Sequence, residues 1–220
     1  MSGPGFVGEL DEAARAAFEQ LGHVHRYTNG ASVFTEGDRS SDVAVVLTGR
    51  LKILCSTESG GEVALAVRHP GDLVGELAAI DGHGTPRTAS AIALGSTTVR
   101  LIRAAEFTDF LVAHPASSLV LLRMLTGKLR DAERRRVEYG SIDAGRRLAR
   151  LLLELADAPD VHGRATVTGH LSQSELASLI GSSRESVARA FLRLRQLDLV
   201  ETSRRSVVLR DVTQLERFAR

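Results

Sequence analysis

Two stretches of the chain hold residue types that could do chemistry. In the first, residues 74–91 (VGELAAIDGHGTPRTASA), a carboxylate, Glu76, precedes a short apolar run and a glycine-rich loop, and a single arginine, Arg87, follows with Thr88 beside it. A guanidinium is a fixed positive charge with a planar donor fork that suits phosphate. Thr88 adds a hydroxyl, and Gly75 lets a backbone or a ligand come close. A helical turn over residues 77–80, with Leu77 and Ala78 at its start, would offer free N–H groups to an anion. Glu76 would repel a phosphate, so on the same ligand it needs a hydroxyl donor, and a ribose has one. Phosphate and ribose hydroxyl within a few ångströms describe a cyclic nucleotide. A plain Glu76–Arg87 ion pair is the alternative.

The second stretch is residues 171–201 (LSQSELASLIGSSRESVARAFLRLRQLDLVE). Ser172 can cap a helix with Glu175 as its capping-box partner. Leu176, Ala177, Leu179 and Ile180 give that helix a buried face, and Gly181 permits a tight turn. Ser182 or Ser183 then caps a second helix whose inner stripe is Val187, Phe191, Leu194 and Leu197. Glu185 and Arg189 point away from the stripe, and Arg184 sits in the first turn. Arginine can pair with guanine O6 and N7, and a carboxylate can accept from cytosine N4. Ser172, Ser183 and the helix N-termini suit phosphate contacts. A cap, a glycine turn, a second cap and a polar outer face in this order read as a helix-turn-helix for DNA.

Other elements must position these groups. A short amphipathic helix is expected over residues 9–20. From about His23 to Arg103, β-rich runs (VAVVL, LKIL, VALAV, TTVRLI) alternate with turn signals, Thr48-Gly49 among them, which points to an antiparallel roll, barrel or sandwich. Pro115 ends one helix and opens a long one over residues 116–139. Leu122, Leu125, Leu129, Ala132, Arg136 and Tyr139 form a short a/d seam on it, broken at Arg136. The seam could pack on the β domain, but one helix after a roll has more apolar face than that domain can cover, so a parallel two-fold dimer is expected. Tyr139-Gly140-Ser141 is expected to break the helix, with Asp143 capping the next. Small strands are expected at residues 165–167 and as a hairpin at 200–209.

Together these stretches resemble the CRP/FNR family of bacterial transcription regulators. VGELAAIDGHGTPRTAS and IGSSRESVARAFLRL carry the resemblance, which covers nearly the whole chain. It implies an α+β fold: an N-terminal antiparallel, jelly-roll-like β-roll as sensor (1–115), a dimerisation helix and hinge (116–140), and a C-terminal winged helix-turn-helix (141–220). It also implies that Glu76 meets the ribose, and that Arg87 and Thr88 meet a cyclic phosphate, with main-chain donors near Leu77 and Ala78. Arg184, Glu185 and Arg189 match the family's base-reading positions, and SRESV resembles the version that reads TGTGA-type half-sites in a palindrome. The implied partners are double-stranded DNA, a second copy of the chain and RNA polymerase. The implied effector is cAMP or cGMP. One departure stands out: the Thr and Ser that hold adenine in cAMP-binding members align with Ala132 and Glu133, so the phosphate–ribose end matches the family and the base end does not. A regulator that binds DNA constitutively, or answers to another effector, is the competing reading.

Composition narrows the other classes. The 220 residues hold one cysteine, Cys55, which rules out an internal disulfide, a thiolate zinc site or a cysteine-ligated iron–sulfur sensor. The seven histidines (His23, His25, His69, His83, His114, His162 and His170) show no metal-ligand spacing, and no nucleophile–base motif marks an enzyme. Net charge is +1, with 13 arginines against 10 acidic residues from Ser141 onward. That mild basic excess is compatible with nucleic acid. Only Lys52 and Lys128 of the 28 basic residues are lysine. The N-terminus lacks the basic-then-apolar pattern of a signal peptide, and no run approaches a membrane span. A soluble, cytoplasmic protein with no membrane partner is expected.

Overall fold

The computed structural model describes residues 5–57, 60–82, 84–167, 171–203 and 206–220, with residues 135, 136 and 138–141 described by main chain only. His83, His170 and the side chains of Arg135, Arg136 and Tyr139 therefore lie outside the described residues. The chain divides into two compact units, one running to Arg130 and one from Asp131 to Arg220.

The first unit begins with α1 (Gly5–Gly8) and α2 (Glu12–Phe18), the latter capped by Asp11, whose carboxylate accepts from the Ala14 N–H at 2.8 Å. There follow β1 (His23–Tyr27), β2 (Ser32–Phe34), β3 (Val43–Ser56), β4 (Glu62–Arg68), β5 (Leu73–Val74), α3 (Glu76–Asp81), β6 (Ser90–Ile102) and α4 (Ala104–Ala113). The strands form one antiparallel sheet in the order β1-β6-β3-β4, with β2 on β6 and β5 on β3. Successive β3 side chains go to opposite faces. Val43 and Val45 join Phe6, Phe18, Phe107 and Phe110 under the helices, while Ala44 and Val46 join Phe34, Val74, Ala91 and Val99 on the other face. Burial on both faces is why VAVVL is apolar without alternation.

The expected turn at Thr48-Gly49 is absent. Gly49 lies inside β3, where the pairing with β6 shifts register on both sides of Thr48. An extra residue in one strand bends it and increases its twist without ending it. Gly49 takes φ +75°, and a Cβ there would collide with Ser96 O and lie 2.8 Å from Thr97 Cα. β6 likewise runs unbroken through Gly95.

The long helix, α5 (Pro115–Ser141), passes through the division between the units. Val120 and Leu121 are buried, and Met124 and Leu125 pack on the same core. Leu125 thus belongs to the roll-facing side and not to the seam expected of it. Leu119, Leu122 and Leu129 are 56%, 58% and 60% exposed and make a separate stripe. Further along α5, Val137 and Ala132 are exposed. Gly140 does not break the helix, which continues to Ser141; the break falls at Ile142 and Asp143.

The second unit continues with α6 (Ala144–Leu155), β7 (Ala165–Val167), α7 (Gln173–Leu179), α8 (Arg184–Gln196), β8 (Val200–Thr202), β9 (Val207–Leu209) and α9 (Val212–Ala219). The small sheet has the order β7-β9-β8. Leu148, Leu152 and Leu155 of α6, Leu194 of α8, and Leu209 and Leu215 beyond it are fully buried. No single helix among the described residues is long and apolar enough to cross a membrane.

Gly49→Ala should lower stability by about 3 kcal/mol, because a left-handed backbone and a backbone collision both oppose the methyl group. Gly30→Ala, at φ +84° with nothing within 4 Å of a Cβ, should cost about 1 kcal/mol. Urea unfolding of the two variants measures the difference.

Candidate functional site

The first candidate site forms where β5 turns into α3. Gly75 caps α3 in the left-handed region, at φ 85°, and Glu76 is the helix's first residue. Arg87 comes from the loop after α3, where its N–H donates to Asp38 O at 2.8 Å and its carbonyl accepts from the Gly37 N–H at 2.9 Å. These bonds hold the arginine backbone beside the turn at residues 36–38.

The Arg87 side chain is buried at 4% exposure. Its guanidinium lies over the Phe34 ring, 3.7 Å from the centroid. Nη1 donates to Gly75 O at 3.2 Å, Nη2 to Asp42 O at 2.7 Å and Nε to Ser40 Oγ at 3.2 Å. Burial pulls the guanidinium below its ordinary pKa, and the nearby carboxylates of Asp42, Asp38 and Glu76 oppose that. A Cβ on Gly75 would overlap Nη1, so what glycine admits at this position is the arginine itself.

Glu76 is 5% exposed, and its ion-pair partner is Lys128 of α5: Nζ lies 2.7 Å from Oε1 and also donates to Leu73 O at 3.0 Å. The Glu76–Arg87 ion pair considered from the sequence is thus replaced by a Glu76–Lys128 pair, with Arg87 bonded to carbonyls and a hydroxyl. Burial depresses the Lys128 ammonium, Glu76 favours its charged form and Arg68 disfavours it. Lys128 was missed as a site residue. No local pattern marks it: its pairing with Glu76 is set by the tertiary approach of α5 to the start of α3.

The remaining site residues fall around this pair. Ala78 is buried at 6%, Leu77 is 49% exposed, and Thr88 is exposed. Cys55 Sγ approaches Glu36 Oε1 at 3.4 Å and Thr88 O at 3.8 Å, and burial pushes its thiol up. Ala132 and Glu133 are exposed on α5. Among the described residues, no group of three or more His, Cys, Asp or Glu could hold a metal ion.

The second candidate site is α7 and α8. Ser172 caps α7 with the full capping box: its hydroxyl accepts from the Glu175 N–H at 3.2 Å, and Glu175 Oε2 accepts from the Ser172 N–H at 2.7 Å. Gly181 follows with φ 57°. Its N–H donates to Ser178 O at 3.1 Å, and the Ser182 N–H donates to Ala177 O at 2.8 Å. This paired closure is what a left-handed residue after a helix allows. Ser183, not Ser182, caps α8, accepting from the Ser186 N–H at 3.2 Å.

Val187, Ala190, Phe191 and Leu194 are buried, whereas Leu197, expected in the stripe, caps the end of α8 at 49% exposure. Arg184, Glu185 and Arg189 are all exposed. The Glu185 carboxyl is held below the usual carboxylate range, first by its own main-chain N–H and then by the Ser183 hydroxyl. Arg189 Nη2 donates to Ser186 Oγ at 2.9 Å, which steadies its side chain along the same face. Two guanidinium groups and an ionised carboxylate thus share one exposed helical surface.

Residues 24–114 match the family model of the cyclic nucleotide-binding domain, and residues 146–218 match that of the Crp-like helix-turn-helix domain. Over 222 aligned positions the chain is 31% identical to the CRP-like cAMP-activated global transcriptional regulator of Mycobacterium tuberculosis, covering 98% of this chain and 96% of that protein. FixK2 from Bradyrhizobium japonicum superposes with a TM-score of 0.72 at 24% identity, over 90% of this chain and 96% of its own. The c-di-GMP responsive global regulator CLP of Xanthomonas campestris gives a TM-score of 0.73 at 22% identity, over 90% and 99%. At those identities the two structures share the fold.

Lys128→Met should lower stability by about 2–3 kcal/mol, because it leaves Glu76 charged, buried and without its counter-ion. The double variant Lys128→Met/Glu76→Gln should recover most of that loss. Urea unfolding of the three proteins measures both steps.

Proposed function

The chain belongs to the CRP/FNR family of transcription regulators, with a cyclic nucleotide-binding domain and a DNA-binding helix-turn-helix domain, and we propose that it is a homodimer whose grip on a palindromic DNA site is set by a cyclic nucleotide held beside Arg87. One observation carries the effector half: a buried guanidinium and a buried carboxylate lie beside the start of α3, each steadied by a different part of the roll unit. In this reading Arg87 and Thr88 bind the cyclic phosphate. Glu76 accepts from the ribose hydroxyl, Gly75 leaves room for the Arg87 guanidinium, and the main-chain N–H groups near Leu77 and Ala78 add donors. Lys128 holds the Glu76 carboxylate in place, its Nζ 2.7 Å from Oε1.

The effector is cAMP, in line with the M. tuberculosis relative, or cGMP. A different effector, or DNA binding without any, is the second reading, and Ala132 and Glu133 favour it: neither side chain offers the hydroxyl with which cAMP-binding members hold the base. The Xanthomonas protein, which has the same fold, is described as responsive to c-di-GMP.

On the DNA side, Arg184, Glu185 and Arg189 read base edges in TGTGA-like half-sites, and Ser172, Ser183 and the helix N-termini hold phosphates. Leu119, Leu122, Leu129 and Val137, exposed on α5, meet their copies in the partner. Two-fold symmetry then sets the two recognition helices about one turn of DNA apart. In functional terms residues 1–115 sense, 116–140 dimerise and 141–220 bind DNA, with the pivot at Ile142 and Asp143. The ligand acts by its differential affinity for two dimer geometries. RNA polymerase is the further partner, and the cytoplasm is where such a regulator works.

Calorimetry with cAMP and with cGMP tests the pocket. Wild type should bind at least one of them. Arg87→Lys keeps the charge and loses the fork, and should bind it about tenfold more weakly or worse. No heat from wild type with either nucleotide contradicts the effector assignment.

A further inference from the structure

One buried cation of the C-terminal unit has no part in the reading above. Arg147, in the first turn of α6, is only 9% exposed. Its Nε donates to Ile180 O at 2.8 Å and its Nη2 to Gly181 O at 3.4 Å, while Nη1 donates to Ile142 O. The first two acceptors end α7: Ile180 is its C-cap and Gly181 the left-handed residue after it. Carbonyls at a helix C-terminus lack intrahelical donors and carry the negative end of the dipole, so a guanidinium is well placed there. The third acceptor is the residue at which α5 gives way to α6.

One rigid, planar group therefore grips two separate pieces of main chain. One is the link leaving the long helix, and the other is the turn from which the recognition helix starts. Ser183, the cap of α8, lies two residues beyond Gly181, and Arg184 follows it directly. The guanidinium cannot follow a displaced Ile142 carbonyl without leaving Ile180 or dragging it along, because its donors have fixed spacing.

We propose that Arg147 is a positioning residue for DNA recognition: it ties the turn of the helix-turn-helix to the end of the long helix, so that a change at Ile142 is passed to residues 181–183 and to the aim of Arg184, Glu185 and Arg189. This rests on the family's DNA binding and holds whether or not a nucleotide binds the roll.

The test is amide hydrogen exchange on the full chain without DNA or nucleotide, for wild type, Asp143→Ala, Arg147→Gln and the double variant. Asp143→Ala loosens the link by removing the α6 cap, in which Oδ1 accepts from the Gly145 N–H at 2.7 Å. With Arg147 present, Asp143→Ala should speed exchange at Gly181 and Ser182 about fivefold, with the amides of residues 190–194 unchanged. With Arg147→Gln, Asp143→Ala should add less than about a twofold change there. Equal acceleration in both backgrounds, or none in either, overturns the proposal. Arg147→Lys keeps the charge without the fork, and serves the same cycle if Arg147→Gln does not fold. On duplex DNA at fixed salt, Arg147→Lys should cut the preference for a palindromic site over random sequence about tenfold, leaving the salt slope unchanged. An unchanged preference also overturns the proposal.

Discussion

A guanidinium buried in a β-roll must find acceptors for its donors and something flat for its face, and the way Arg87 does so organises the surrounding unit. Its face lies on Phe34, and its nitrogens reach Gly75 O, Asp42 O and Ser40 Oγ. That arrangement leaves no room for a side chain at residue 75, the left-handed residue from which α3 starts. The start of α3 in turn puts Glu76 beneath the surface, where a bare carboxylate is costly. Lys128 supplies the counter-charge from α5, 52 positions away, and so fastens the long helix to the roll. The pair therefore does two jobs: it gives the buried Glu76 carboxylate a counter-charge, and it ties α5 to β5 and the start of α3.

The C-terminal unit is built on a different principle. Its positioning comes from main-chain caps more than from buried charge pairs. Ser172, Gly181 and Ser183 close the ends of α7 and α8 within a few residues of one another. Arg147 joins this set from α6, and its acceptors are carbonyls that any sequence would supply. Arg184, Glu185 and Arg189 stand exposed on the outer face of α8, outside its buried stripe.

This difference explains what could be read from the sequence. The helix-turn-helix was legible almost to the residue, because caps, a left-handed glycine and a helical stripe are local patterns. Only Leu197 strayed, and it is the C-cap of α8. The strands of the roll were legible as elements but not in length, since glycines at bulges look like glycines at turns; Gly49 became part of β3. On α5 a 3.5-residue period could not tell the face packed on the roll from the face left exposed, and Leu125 went to the wrong one. Gly140 looked like a breaker, yet one glycine costs a long helix only about 1 kcal/mol, and the break fell at Ile142. Residue types alone singled out Glu76 and Arg87, but their actual partners, Lys128 and the carbonyls of Gly75 and Asp42, are set by tertiary approach and leave no local pattern.

A nucleotide bound beside Arg87 and Glu76 is proposed to govern how tightly a dimer's two recognition helices hold DNA. Fluorescence anisotropy of a labelled TGTGA-type palindrome, titrated with the full chain at one fixed salt concentration, addresses it directly. With cAMP or cGMP present the affinity should change by about tenfold or more, and a scrambled duplex should show no such change. Identical affinity for the palindrome with and without both nucleotides would contradict the account.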